Sequence, residues 1–401
     1  VQSMGGPLEG ITVLDLSAVV SGPMACQVMA DQGAEVIKVE PPGIGDITRI
    51  GGFRKGTVSA MYASCNRGKR SLVLDLQETA GVEVLLELCR DADVLVQNFR
   101  PGAVDRMGIG PAAVHAVNPN LIYVSISGFG DSGPYREWRV YDPIIQALSG
   151  MVSVQQSQEI PLPDLIRTLI CDKSTALTAA QAISAALFAR ERGQAAGQVL
   201  DIPMLDTALY WLWPDTFMAH TFFDDDITPG PLLYQIYRLQ PTADGHCVYF
   251  AASDAEWQGL TAALGHPEWW EEERFKNITL RSQPENFEAI GELLHSAFLE
   301  FETDDIIDRL HENEVPAAPM LTLDEVFDDA QVLHNDAVHT WNHPTAGTTR
   351  MAKPPVRFSI TQHQTVWAAD SLGESSVAVL QDAGFHKRRI DELRKSGIIP
   401  S

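Results

Sequence analysis

Short runs of β-branched and aliphatic residues alternate with helix-period segments through the first third of the chain, the pattern of a parallel sheet covered by helices. ITVLDL at 11–16 predicts a first strand, 23–32 a helix, and EVIKV at 35–39 a second strand, closing a β-α-β unit. Residues 71–74, 94–97 and 121–127 continue the strand series, with a helix at 79–91 between the first two. The segments 175–189 and 201–216 read as helices that are apolar on most faces, separated by a break at 193–197. The fold class is therefore α/β.

Near Phe223 the pattern changes. Acidic, proline-containing sequence runs to 231, and Asp244-Gly245 marks a hairpin turn between strands at 237–239 and 247–251. Helix-rich acidic sequence follows over 255–314, and after Pro316-Ala317-Ala318-Pro319 the chain is expected to return to the first domain through strands near Val338 and Val356. The expected organisation is a large domain from 1–224, a small domain at 225–325 and a C-terminal return at 326–401. A chain of 401 residues is long enough for two buried cores.

Apolar residues at 45% and charged residues at 20% match an ordinary globular chain. Lys plus Arg number 29 against 53 Asp plus Glu, a net charge of −24 that repels phosphate backbones and anionic membranes. Neither nucleic acid nor membrane is expected as a partner, and any basic residue at an anionic ligand must act locally. Five cysteines without a C-x-x-C pair signal neither disulfides nor zinc, so a reducing, cytoplasmic setting is expected. Val1-Gln2-Ser3-Met4 offers no basic n-region or apolar h-region, so no secretory leader is expected. The uncharged stretch 176–189 falls short of the ~18 residues of a membrane span and reads as a buried helix.

Three constellations carry candidate chemistry. Gly128-Phe129-Gly130-Asp131-Ser132-Gly133 has the spacing of a dinucleotide loop, but no apolar-periodic helix follows it and no acidic residue stands about 20 positions on, so it reads as a turn. Gln97-Asn98-Phe99-Arg100-Pro101-Gly102, with Asp105-Arg106-Met107-Gly108, ends a strand in an amide, an aromatic ring and arginines, as a ligand at a sheet's carboxyl edge requires; a solvated surface loop has the same composition. Asp172, immediately ahead of the apolar helix, reads either as a helix cap or as a carboxylate nucleophile. The histidines stand singly, and neither a nucleophile elbow nor a phosphate-binding loop occurs.

Together these segments resemble the family III CoA-transferases along nearly the whole chain. The resemblance is carried by 7–16 (PLEGITVLDL), 33–43 (GAEVIKVEPPG), 66–71 (NRGKRS), Asn98-Phe99-Arg100-Pro101-Gly102, Gly128-Phe129-Gly130 with Gly133-Pro134-Tyr135, Tyr141-Asp142 with Gln146-Ala147 and Gly150, Ala318-Pro319, and Leu372-Gly373-Glu374. It implies a Rossmann-like large domain, a smaller α+β domain and an interlocked homodimer. It implies that Asp172 is the nucleophile and that coenzyme A contacts Val19, Val20, Leu74, Asn98, Phe99, Arg106, Met107, Arg139 and Met204. Acyl-CoA and a carboxylic acid are then the substrates, with no metal and no tightly bound cofactor.

Departures from the family pattern shape the rest. Ala18 replaces a basic or His residue, Val20 a Gln of the formyl-CoA enzyme, Pro41 a basic residue and Gln77 a frequent Lys, and the glycine-rich flap is missing. These point away from formyl-CoA and oxalate; Val20, Tyr141, Trp138 and the 220s segment are expected to shape the acyl pocket. A related 2-methylacyl-CoA racemase needs a histidine where Tyr141 stands, which ranks that alternative lower. A non-catalytic acyl-CoA-binding protein is the alternative from another class.

Overall fold

The computed structural model describes residues 5–156, 162–224, 226, 227, 230, 232–362 and 364–400. Met4 and part of the 220s segment fall outside them. The chain divides into two compact units, one built from 1–212 with 337–401 and the other from 213–336. The pattern reading set the divisions at 224/225 and 325/326 instead.

The larger unit is organised by β1 (Thr12–Asp15), β2 (Glu35–Glu40), β3 (Arg70–Val73), β4 (Val94–Gln97), β5 (Ile122–Ser127) and β6 (Val199–Pro203), joined in one six-stranded sheet in the order β3-β2-β1-β4-β5-β6. Every pairing within it is parallel. Strands covered on both faces are written as unbroken apolar runs, and β4, VLVQ, is buried at all its positions. Each such Val or Leu contributes about 1.5–3 kcal/mol on burial. On one face Leu14, Ile37, Leu72, Leu95 and Tyr123 pack with Val84, Leu85 and Leu88 of the helix Thr79–Cys89. The C-terminal return completes this layer: Val379 and Leu380 of Ser376–Asp382 and Ile390 and Leu393 of Lys387–Lys395 join the same cluster.

Four helices position the site: α1 (Ser21–Asp31), α2 (Asp142–Leu148), α3 (Ile170–Glu191) and α4 (Met204–Leu212). α1 packs along α3. The helix expected from 201 starts only at Met204; the residues before it, Val199–Pro203, are the edge strand β6, paired with β5 from Tyr123↔Val199 to Ser127↔Pro203. Pairing against a central strand overrode the local helical reading, and Pro203 tolerates the last edge position. No strand forms at Val356; Val338–His343 pairs instead with Gly347–Ala352 as an antiparallel hairpin, because the Pro354-Pro355 pair ahead of Val356 cannot supply ladder donors.

The smaller unit is α+β. Ala317–Pro319, His246–Tyr249 and Gln240–Pro241 form a three-stranded antiparallel sheet, in that order. The turn at Asp244-Gly245 is present, but its first strand is 240–241 and not 237–239. Asp254–Ala263, Pro284–Phe298 and Thr303–Glu312 surround a core of Trp257, Leu260, Phe275, Leu294, Phe298, Ile306 and Leu310. A capping box between Ser253 and Glu256 starts the first of these helices.

Candidate active site

The order of the strands reverses at β1 and β4: the strands after β1 step outward to one side and those after β4 to the other. Open parallel sheets bind ligands at the carboxyl ends of such a pair. Here these ends are the loop 16–20, leading into α1, and Asn98 with Phe99. Asn98 Oδ1 accepts the Ala18 N–H at 2.9 Å and Asn98 Nδ2 donates to the Ala18 carbonyl at 2.8 Å, locking the two loops together. Phe99 is fixed from behind by its N–H bond to Gln97 Oε1 at 2.8 Å.

The loop rests on a buried set of charges. Asp15, Lys38, Asp46 and Lys69 are each 3% exposed or less. Lys69 pairs with Asp15 at 2.8 Å, and Lys38 lies 3.5 Å from Asp15 and 3.4 Å from Asp46. Burial would raise the Asp15 pKa, but Lys38 and Lys69 outweigh it and bring the carboxyl down to about 2. Lys38 Nζ also donates to the Ser17 carbonyl. Asp46 Oδ2 accepts the Val19 N–H at 3.2 Å, and Val19 holds φ at 73°. A β-branched residue occupies that region only under constraint, at about 1–3 kcal/mol. The backbone ahead of α1 is therefore held in a set shape by ionic groups beneath it.

Asp172 lies within the first turn of α3, not ahead of it, and is 8% exposed. The expected capping role falls elsewhere: Asp142, the first residue of α2, accepts the Asp172 N–H on Oδ2 at 2.9 Å and takes Gln146 Nε2 on Oδ1 at 2.6 Å. Gln146 Oε1 in turn accepts the Ile166 N–H at 2.9 Å, tying the segment before α3 to α2. The Asp172 carboxyl takes no part in that cap, and Ser21, at the start of α1, stands beside it and draws its pKa down through its hydroxyl and backbone N–H. Burial and, second, the Asp142 charge push its pKa up to about 6, against the opposing pull of Ser21. The arrangement gives a carboxylate that is ionised at neutral pH, more basic than an ordinary aspartate, and largely screened from water.

The other sequence-selected residues fall in different surroundings. Val19, Val20, Asn98 and Phe99 gather at the β1/β4 crossing, with Val20 3% exposed just ahead of α1. Leu74 and Met204 are buried, at 0% and 5% exposure; Leu74 belongs to the core and its N–H donates to the Glu40 carbonyl, which leaves its own carbonyl for any ligand contact. Met107 packs at the edge of that core. Arg106 and Arg139 are exposed and take no hydrogen-bond or ion-pair partner among the described residues. Trp138 stacks on Tyr135 with ring centroids 4.0 Å apart, and Tyr141 stands 68% exposed beside buried Asp142.

Sequence reasoning did not single out Ser21 or Arg136, and gave no role to Asp46, Asp142 or Gln146. A Ser-Gly-Pro triplet after a strand signals the start of α1, but nothing local ties it to a carboxylate far along the chain. Arg136 joins Arg106 across Gly102, whose φ of 76° keeps a glycine there: a Cβ would lie 3.2 Å from Arg106 Nη1 and 3.4 Å from Arg136 Nη2. Two guanidinium groups thus converge just past the end of β4, in a chain of net charge −24.

Among the described residues, no group of His, Cys, Asp and Glu is arranged to hold a metal ion, and no helix is long and apolar enough to cross a membrane. Known proteins supply the comparison. The family model for CoA-transferase family III matches residues 8–376. A mouse protein named succinyl-CoA:glutarate CoA-transferase is 32% identical over 98% of this chain and 90% of its own length. One from Streptomyces avermitilis named formyl-CoA:oxalate CoA-transferase is 30% identical, covering 98% of this chain and 99% of its own. The crystal structure of a CAIB/BAIF family protein from Brucella suis superposes with a TM-score of 0.79 at 30% identity, over 94% of this chain and all of that one. That of Rv3272 from Mycobacterium tuberculosis gives 0.82 at 30% identity, over 93% and 99%. With its parallel sheet, the match over 8–376 and relatives aligned end to end, the chain belongs to CoA-transferase family III and is a CoA-transferase.

Proposed function

We propose that this enzyme moves coenzyme A from an acyl-CoA to a free carboxylic acid through covalent intermediates on Asp172. The observation that carries the reading is the Asp172 carboxyl: 8% exposed, raised to about pKa 6 by burial and by Asp142, and set beside Ser21 at the start of α1. An Asp172 oxygen attacks the thioester carbonyl, the C–S bond breaks, and coenzyme A leaves as thiolate, giving a mixed anhydride. The thiolate then attacks the aspartyl carbonyl and expels the donor acid, leaving an Asp172 thioester. The acceptor carboxylate attacks that thioester, and the released thiolate takes the acceptor's acyl group from the second anhydride, which restores the Asp172 carboxylate. Negative charge falls on the aspartyl carbonyl oxygen at the two tetrahedral stages in which that carbonyl is itself attacked, beside Ser21, and on the acyl carbonyl oxygen at the other two. No general base is needed, since the nucleophile is ionised near neutral pH, and burial protects the anhydrides from hydrolysis.

Coenzyme A is placed at the β1/β4 crossing, against Val19, Val20, Asn98, Phe99, Met107 and Met204 and the Leu74 backbone, with Arg106, Arg139 and the neighbouring Arg136 toward its phosphates. Trp138, Tyr141 and Val20 shape the acyl pocket and favour an acyl group less polar than oxalate. A racemase reading is disfavoured, because Tyr141 offers no imidazole and both Asp142 oxygens are already engaged. The assembly proposed is an interlocked homodimer. Leu177 and Phe188 on α3, and Tyr210 and Trp211 on α4, stand 54%, 64%, 84% and 49% exposed, more apolar surface than a lone chain ordinarily leaves to water. The cytoplasm is the proposed setting. Mixing the enzyme with panels of acyl-CoAs and free acids and following new thioesters by mass spectrometry tests the reading; no exchange with any pair, or equal exchange by the Asp172→Ala variant, would overturn it.

A further inference from the structure

We propose that the 213–336 unit carries a second small-molecule site, for a monocarboxylate with an apolar body. This goes beyond the transfer reaction and does not depend on the role of Asp172. A cavity of about 310 Å³ opens among residues 233–294, at the small end of the range for ligand pockets. Trp257, Leu260, Phe287, Ile290 and Leu294 give it apolar walls. Its charged lining is two arginines, Arg238 and Arg281, without a carboxylate, although acidic residues outnumber basic ones 53 to 29 in the chain.

The two arginines differ. Arg281 is spent within the fold, donating to the Phe275 carbonyl at 2.9 Å and to Asp254 Oδ1 at 2.6 Å. Arg238 is half-buried, lies over the Phe287 ring at 5.1 Å, and has no hydrogen-bond or ion-pair partner among the described residues. Gly291, inside the helix Pro284–Phe298, leaves the space it occupies: a Cβ there would stand 3.1 Å from Arg238 Nη1. Glycine weakens a helix interior relative to alanine, so the sequence gives up helix propensity where the guanidinium crosses. A second donor is also unused: Trp257 is 3% exposed, and its indole Nε1 is buried without a hydrogen-bond partner among the described residues. A half-buried, unpaired cation and a desolvated N–H line one cavity, and a carboxylate satisfies both. The apolar walls then take the remainder of the acid and reject a second charge, so the ligand class is a small aliphatic or aryl monocarboxylate.

Calorimetric titration of the full-length enzyme, without acyl-CoA, with hexanoate, hexanamide and glutarate tests this. Hexanoate is expected to bind about tenfold more tightly than hexanamide or glutarate, a difference of about 1.4 kcal/mol. Arg238→Met should abolish that preference, Gly291→Ala should weaken hexanoate while keeping or raising thermal stability, and Asp172→Ala should leave hexanoate binding unchanged. Equal affinity for hexanoate and hexanamide, no binding at all, or binding lost in Asp172→Ala but kept in Arg238→Met would overturn the proposal. Transfer activity is read separately, so its failure would not be mistaken for this one.

Discussion

Replacing Asp172 with asparagine should abolish transfer and at the same time stabilise the protein at neutral pH. Burial and then the Asp142 carboxylate hold the Asp172 pKa at about 6, while an unfolded aspartate titrates near 3.9. The difference of about two pH units corresponds to about 3 kcal/mol, at ~1.4 kcal/mol per unit. The sign follows from linkage: the folded state binds this proton more tightly, so the associated stability is complete below about pH 4 and is lost as pH rises through about 6. Asparagine carries no charge to desolvate, retains an oxygen for Ser21, and removes the repulsion from Asp142. Denaturation followed between about pH 4 and pH 8 should therefore show wild type and variant together at the acid end. The variant's advantage should grow to roughly 3–5 °C in midpoint for a chain of this length, level above about pH 7. A variant less stable than wild type at pH 8, or a difference constant across the range, would refute the idea that Asp172 is held against its own solvation.

The same carboxyl should set the acid side of the rate profile: kcat/KM is expected to fall below an apparent pKa of about 6, and a flat profile through that region would detach Asp172 from the chemistry. Arg106→Ala should raise KM for acyl-CoA more than it lowers kcat, and adding Arg136→Ala should change it less than additively, since both side chains converge on Gly102. Asn98→Ala should lower kcat about tenfold or more by releasing Ala18, with little change in the unfolding midpoint. Sedimentation at nanomolar concentration should find a dimer and no active monomer, because interlocked chains separate only by unfolding.

The parallel sheet was legible because β1, β2, β4 and β5 are buried on both faces and so are written as apolar runs that no surface element needs. β6 was not: an edge strand with one of its five residues buried, running straight into α4, keeps neither a clean alternation nor a closing turn. The site was legible in its parts and not in its assembly. Asn98 and Asp172 stand out by type and position, but the Ser21 contact and the Asp142 cap join residues on three separate elements, and only the packing of α1 along α3 brings them together. The displacement of Asp172 from cap to first turn has the same origin, since a neighbouring helix supplies the acceptor that local sequence would have required of Asp172 itself.

The central claim, that the acyl group and then coenzyme A pass through Asp172, is tested most directly by trapping. The enzyme is incubated with an acyl-CoA that it uses, in the absence of acceptor, quenched with hydroxylamine, digested and sequenced by mass spectrometry. The account predicts a hydroxamate on the peptide carrying Asp172, dependent on acyl-CoA and absent from the Asp172→Ala variant. A modification on a different residue, or turnover with no trapped peptide under conditions where the thioester should accumulate, would contradict it.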